Sequence, residues 1–147
     1  MPAQNLTEIY QTLRAAIVGN AGVTSLLSAA DAVYQEGAAN VRITAPAILL
    51  RIITEGRQVQ IDGPGKFRPA LRITIMAQQT DRCRAIETAL QAVLDIPRTV
   101  ATPLTGATLR IESLMQVDAN EGASFPTADQ SRTSVLETVW NCSVRAL

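Results

Sequence analysis

The amino-acid sequence predicts an α+β domain in which a mainly antiparallel sheet of four to five strands carries two main helices on one face. Apolar residues recur at helical spacing in two segments, 5–20 and 81–95. Apolar and polar residues alternate in three others, 69–79, 107–118 and 132–147, as in strands with one buried face. The predicted order is helix, strands, helix, strands. Because the helices do not alternate with single strands, this order favours an α+β layer over a parallel α/β sheet.

The first helix is predicted from the segment NLTEIYQTLRAAIVGN. Its apolar residues form one stripe along the helix, which consists of Leu6, Ile9, Tyr10, Leu13, Ala16 and Ile17. Asn5 is a suitable N-cap, and Glu8 is placed to reach back to it as in a capping box. Gly19 and Asn20 are expected to end the helix, and the following GVTSLLSAAD to add a short helical turn.

The second helix is predicted from DRCRAIETALQAVLD, which is capped by Thr80 or Asp81 and ended by Pro97. Its apolar side consists of Cys83, Ile86, Leu90, Val93 and Leu94.

Strands are predicted from AILLRIITE, RQVQID, PALRITIMAQQ, ATLRIESLMQVD and RTSVLETVWNCSVRAL. In the fourth of these, Leu109, Ile111, Met115 and Val117 are expected to share one face. In the last, the apolar face is predicted to consist of Leu136, Thr138, Trp140, Cys142 and Val144, with Trp140 as a core anchor. The segments VYQEGAANVRIT and DANEGASFPTADQS show no sustained period and are predicted to be an exposed connection and a polar loop.

The composition predicts a neutral, soluble single domain over residues 1–147. Basic and acidic residues number 13 each, so no excess of positive charge indicates nucleic acid as a specific partner. The start of the chain shows no signal-peptide pattern, and the most apolar run, APAILLRII, is far shorter than the roughly 20 residues of a membrane span. The two cysteines are expected to be reduced core thiols.

Two loops invite a ligand-binding interpretation, and neither fits the chemistry. QIDGPGKFRP places Gln60 where a phosphate-binding loop needs its first glycine, and Phe67 where the magnesium-binding hydroxyl belongs. We therefore interpret it as a turn between strands. In DANEGASFPTAD the glycine comes one place early for a calcium loop, and no helices flank it.

Catalytic chemistry is disfavoured because the chain has no histidine, which removes the usual base of serine and cysteine nucleophiles and most zinc ligands. The candidate carboxylate pairs lie in predicted turns and at strand ends, where such groups usually keep the surface solvated. Cys83, between Arg82 and Arg84, also falls on the apolar stripe of its helix, which favours a buried thiol over a reactive one. We predict no enzyme activity and no cofactor or metal.

The chain resembles the tail terminator proteins, also called tail completion or minor tail proteins, of long-tailed phages such as lambda. The resemblance is one of order and pattern over nearly all residues. Its first part is the opening LTEIYQTLRAAIVGNAGVTSLL, and its second is the strand–loop–strand–helix unit from AILLRIITE to ALQAVLD. Its third is the ending, LRIESLMQVDANEG followed by SRTSVLETVWNCSVRAL.

The resemblance implies a structural virion protein that assembles in the host bacterial cytoplasm as a hexameric ring. The ring caps the tail tube at its head-proximal end, stops tube growth, and forms the surface to which the head connector attaches. Its partners are further copies of the chain, the tube protein and the connector, with no membrane, and DNA passes through the lumen without specific binding.

A closed ring needs two different patches on each subunit, and we expect charged loops to supply them. The first patch, mostly basic, consists of Arg57, Asp62, Lys66, Arg68 and Arg72, and the second, mostly acidic, of Asp118, Glu121, Asp129 and Arg132.

Two other interpretations remain open from the sequence. One is a head completion or head–tail connector protein, which is also a ring adaptor without catalysis. The other is a small α+β enzyme or ligand-binding domain that uses carboxylates or Cys83.

Overall fold

A computed structural model describes residues 6–35, 43–53, 66–94, 104–126 and 132–146. These residues form three helices, α1 (Leu6–Val18), α2 (Ala21–Thr24) and α3 (Thr80–Leu94), and seven strands. The strands are β1 (Val33–Gln35), β2 (Ala47–Ile53), β3 (Lys66–Phe67), β4 (Ala70–Ala77), β5 (Leu104–Thr105), β6 (Leu109–Pro126) and β7 (Arg132–Ala146).

The strands form one mixed sheet in the order β1-β2-β4-β7-β6-β5, and β3 also pairs with β7. Every pairing is antiparallel except that of β1 with β2, which is parallel. The α+β class is confirmed, but four to five strands was an underestimate. The additional strands β1, β3 and β5 are two or three residues long, and so short a segment cannot show an alternation in the sequence.

The helices and one face of the sheet enclose a single large core. α1 contributes Ile9, Leu13 and Ile17, all almost wholly buried. The apolar side of α3 and alternate residues of the four long strands complete this core. We call this side of the sheet the helix face, and the opposite side the outer face.

The predicted alternation of β7 is confirmed, because Leu136, Thr138, Trp140, Cys142 and Val144 are all buried. Trp140 is fully buried, and its indole Nε1–H donates to Oγ1 of Thr138 at 2.9 Å. The Thr138 hydroxyl in turn donates to the main-chain oxygen of Ile73 at 2.8 Å. The only tryptophan of the chain is thus a core anchor whose polar atom is satisfied within the core.

The predicted alternation of β6 is wrong beyond Ile111. The pairing with β7 shifts between Ile111 and Ser113 and again between Gln116 and Asp118, so Glu112 and Val117 are extra residues in β6. Each β-bulge moves the following residues to the opposite face. Leu114 is consequently buried, whereas Met115 and Val117 are 54% and 50% exposed.

Two predicted connections are also corrected. Val33–Gln35 is strand β1, because its main chain pairs with Ile48, Leu49 and Leu50 of β2. The stretch predicted to be a polar loop from Asp118 continues β6 as far as Pro126, paired with β7 with one further register shift between Gly122 and Phe125. Long-range pairing to β7 therefore overrides a locally polar composition.

Glu8, which is predicted to take part in a capping box with Asn5, makes a long-range contact. Both Glu8 carboxylate oxygens accept hydrogen bonds from Thr108, one from its main-chain N–H at 2.6 Å and one from its hydroxyl. Asn5 lies outside the described residues. Gly106 permits the close approach, since a Cβ atom there would lie 2.5 Å from Oε1 of Glu8. Glu8 thus fastens α1 to the turn between β5 and β6.

Candidate assembly surface

The outer face carries none of the described helices. At the end of the sheet where β2 begins and β4 ends, the segment before β2 packs against this face. There Ala45 packs with Met76 and Val135, while Ile43 and Leu49 lie against this small cluster. The rest of the outer face presents a mixture of charged and apolar side chains, which makes it the candidate surface for contact with other molecules.

A row of facing residues crosses the outer face from β2 to β6. Arg51 of β2 lies opposite Arg72 of β4, Arg72 lies opposite Val139 of β7, and Val139 lies opposite Asp118 of β6. The row is basic at its β2–β4 side and acidic at its β6 side. Since neighbouring strands lie about 4.8 Å apart, the whole row spans roughly 14 Å.

At the opposite end of the outer face, where β7 ends, three charged residues form a compact group. The guanidinium of Arg145 lies 2.8 Å from the carboxylate of Glu112, and that of Arg110 lies 3.5 Å from the same oxygen. All three side chains retain 25–41% exposure. Such partly solvated pairs stabilise a fold by at most about 1 kcal/mol, so this group sets the surface charge more than the stability.

Asp118 is held at the edge of the sheet by contacts with its own neighbours. One carboxylate oxygen accepts the main-chain N–H of Ala119 at 2.9 Å, and the other accepts from the side-chain amide of Asn120 at 3.1 Å. The side-chain amide of Gln116 lies 3.4 Å from the main-chain oxygen of Asp118. The negative charge therefore has a defined position on an exposed residue.

The helix face of β6 carries a polar network with α3. The Arg84 guanidinium bonds Glu121 at 2.9 Å and Glu87 at 3.2 Å, and these hydrogen bonds raise the pKa of Arg84. Gln116 donates to Glu87 at 2.9 Å and accepts from Gln91 at 2.8 Å. These contacts fix the hairpin of β6 and β7 against α3.

The predicted patch residues fall in different surroundings. Arg72 and Asp118 share the outer face with two strand spacings between them, and Arg68 is exposed in the connection between β3 and β4. Glu121 lies instead on the side of β6 that meets α3, where it pairs with Arg84. Lys66 and Arg132 belong to β3 and β7, with side chains outside the description, and Arg57, Asp62 and Asp129 lie outside the described residues altogether.

Sequence reasoning did not identify Arg51, Met115 and Val117 as surface residues. Arg51 could have been found, because a charged residue inside an otherwise apolar strand marks the solvated face. Met115 and Val117 could not, because the bulges that expose them leave no recognisable pattern in the sequence.

The thiols are buried, as predicted. Cys83 is 1% exposed, its Sγ lies 3.5 Å from the main-chain oxygen of Ser134, and burial raises the pKa of its thiol. Burial raises the pKa of Cys142 to about 12. Both cysteines are therefore in the protonated, unreactive form near neutral pH.

Two further observations concern ligands and membranes. In the part of the chain that the structure describes, no three acidic or thiol side chains are grouped as they would be around a metal ion. No helix among the same residues has the length and apolarity needed to cross a membrane.

Comparison with known proteins gives a likeness at the level of structure. No protein-family model and no curated protein sequence matches the chain. Among solved structures, the fold is similar to that of a chain in the virion of a native gene transfer agent particle, with a TM-score of 0.67 and 13% sequence identity. The likeness covers 97% of this chain and 98% of that one. The two chains thus share a fold from end to end.

Proposed function

We propose that this protein is a structural subunit of a phage-like virion, and that it acts as a tail terminator. In this role several copies form a ring on the head-proximal end of the tail tube, end tube polymerisation and provide the surface for head attachment. The observation that carries the proposal is the end-to-end likeness to a chain of the gene transfer agent virion. The order of elements that resembles tail terminators in sequence supports the same assignment.

The surface of the subunit suits an adaptor that must meet several neighbours. In the described residues its sheet is open at both sides, and the row of facing residues across its outer face runs from Arg51 of β2 to Asp118 of β6. A subunit with two different sides can meet the next copy head to tail, and such contacts close into a ring when the rotation permits. A ring that caps a tube must also have one side that binds the last layer of tube protein and an opposite side that does not bind a further layer.

The proposal is tested by deleting the gene for this protein from the genome that encodes the particle. The length of the tails that are then produced is measured by negative-stain electron microscopy. A terminator predicts tails of uncontrolled length and heads without tails, both corrected when the protein is supplied. Purified protein added to growing tubes should also cap their ends and stop growth.

Two results would overturn the tail-terminator role. Normal infectious particles after the deletion would exclude an essential virion role. Free tails of normal length beside filled heads would instead assign the protein to head–tail joining.

A further inference from the structure

The β1 side of the sheet carries no further strand, but side chains of α1 contact it. β1 is the last strand on this side among the described residues. The last strand of a sheet usually presents unpaired main-chain N–H and C=O groups, to which a strand of another molecule can add. Here several of these groups are already hydrogen-bonded, either to side chains of α1 or within the turn before β1.

Tyr10 continues the hydrogen bonding of β2 beyond its last described pairing with β1. The N–H of Ile48 donates to the main-chain oxygen of Ala32 at 3.0 Å. Because alternate residues of a strand point their main-chain groups to the same side, the N–H groups of Leu50 and Ile52 also point towards β1. The described pairing ends at Leu50, and the N–H of Ile52 donates to the hydroxyl of Tyr10 at 2.7 Å. The hydroxyl thus takes the place of a carbonyl from a neighbouring strand.

Arg14 binds the outward side of β1 itself. Since the oxygen of Ala32 points towards β2, the main-chain groups of the next residue, Val33, point away from β2. The oxygen of Val33 accepts from Nε of Arg14 at 3.0 Å, and its N–H donates to the main-chain oxygen of Asp31 at 2.7 Å. Nη2 of Arg14 lies 3.3 Å from that same oxygen of Asp31. A strand that added to β1 at Val33 would have to break both bonds.

The spacing of the two residues on α1 brings both to the same side of the sheet. Tyr10 and Arg14 are four positions apart, and such residues lie one turn apart on one side of a helix. Leu13 and Ile17 are fully buried and hold α1 against the core. The ring of Tyr10 packs against that core, while its polar tip reaches the main chain of β2. A helix fixed in this way presents both polar groups to the β1 side.

We propose that Tyr10 and Arg14 protect the β1 side of the sheet from pairing with a strand of a second copy of this chain. Natural sheets commonly protect their last strands by covering them with another element or by placing charge there, and α1 does both. A second copy is the relevant partner because it has the same strand, and two equal strands can pair about a two-fold axis. This inference goes beyond the proposed function and does not rest on it.

Amide hydrogen exchange on the whole chain tests the contact of Tyr10. Tyr10→Phe removes the hydroxyl and keeps the ring, so the N–H of Ile52 should exchange about tenfold faster, as expected for the loss of one hydrogen bond. The N–H of Ile48, which bonds to Ala32, should keep the wild-type rate. Tyr34→Phe removes the hydroxyl of the other tyrosine of the chain, and should leave the exchange of Ile52 unchanged. An unchanged rate at Ile52 in Tyr10→Phe would overturn the role of this residue.

Sedimentation velocity over a concentration series tests the protection. The double variant Tyr10→Phe/Arg14→Ala should self-associate about tenfold more strongly than the wild type, because the groups of β1 and β2 become available to a second copy. The matched control Tyr34→Phe/Arg82→Ala also loses one tyrosine hydroxyl and one exposed helix guanidinium, and should associate like the wild type. Association of Tyr10→Phe/Arg14→Ala at the wild-type level would overturn the proposal.

A third substitution shows where the copies meet. Gln35 is exposed, and its main-chain groups point away from β2 like those of Val33. Gln35→Pro removes an outward N–H from β1, so its addition to the double variant should return association to the wild-type level. Association that persists with Gln35→Pro would contradict pairing through β1. If the double variant fails to fold by circular dichroism, Arg14→Ala alone at an exposed position carries the same test. Every comparison is made with the wild type at equal concentration, so ring formation, which tests the proposed function, is a separate result.

Discussion

Replacing Thr138 with valine removes the hydroxyl that links Trp140 to the sheet, at nearly constant side-chain volume. The hydroxyl accepts from Nε1 of Trp140 at 2.9 Å and donates to the oxygen of Ile73 at 2.8 Å. Thr138 and Trp140 are both fully buried, so water cannot replace the lost partner. A buried polar group without a partner costs about 1–3 kcal/mol. Because the indole N–H loses its acceptor and the main-chain oxygen of Ile73 loses one donor, we expect the free energy of unfolding to fall by about 2–4 kcal/mol.

The loss is measured by urea unfolding followed through the fluorescence of Trp140, and by thermal unfolding. For a domain of this size each kcal/mol lowers the melting temperature by about 2–4 °C, so a loss of about 3 kcal/mol corresponds to roughly 6–12 °C. The control Thr138→Ser keeps both hydrogen bonds and should lose only the packing of one methyl group.

A double-mutant cycle isolates the hydrogen bond from general effects of the substitution. Trp140→Phe removes the N–H donor, so Thr138→Val should cost less in that background, with a coupling of about 1 kcal/mol or more, followed by circular dichroism. A Thr138→Val variant within about 0.5 kcal/mol of the wild type, or strictly additive effects in the cycle, would refute this account of the core.

Two further predictions concern titratable groups. The hydrogen bonds from Thr108 lower the pKa of Glu8 below its ordinary 4.5, so the stabilising charge is fully present above that pH and is lost as the pH falls through the folded-state pKa. Glu8→Gln should therefore melt at a lower temperature than the wild type at pH 7, and the difference should shrink in acid; a constant difference across the acid range would contradict this role. Burial should also protect both thiols: the shift of the pKa of Cys142 from 9.0 to about 12 makes its thiolate about a thousandfold scarcer, so alkylation of native protein should be slow for Cys142 and Cys83 and become rapid only in denaturant. Fast labelling of Cys83 in native protein would instead favour the small-enzyme interpretation.

The low sequence identity to the gene transfer agent chain has a physical explanation in this core. A fold is retained when apolar residues of suitable volume recur at the right spacing, and many sequences satisfy that condition. At 13% identity with a TM-score of 0.67, the two chains share the arrangement of the backbone and few of the residues. No single motif needs to survive for the fold to survive.

Elements with strong local patterns could be predicted from the amino-acid sequence. The apolar stripes of α1 and α3 and the alternation of β4 and β7 follow from side-chain spacing, which is a property of the chain alone. The burial of Trp140 and Cys83 could be predicted for the same reason. The absence of histidine likewise limits the possible chemistry, because it is a property of the composition and holds for any fold.

Features that depend on partners far away in sequence became fixed only in the folded molecule. The pairing of β6 with β7 turned a polar segment into strand, and its bulges reversed the face of Met115. Glu8 accepts hydrogen bonds from Thr108, which is 100 residues away in the chain, and local spacing does not reveal such a partner. Arg84 of α3 bound Glu121, which the sequence had grouped with the acidic patch. Local sequence sets spacing and propensity, but register, bulges and the partners of polar groups are fixed only when distant strands and helices meet.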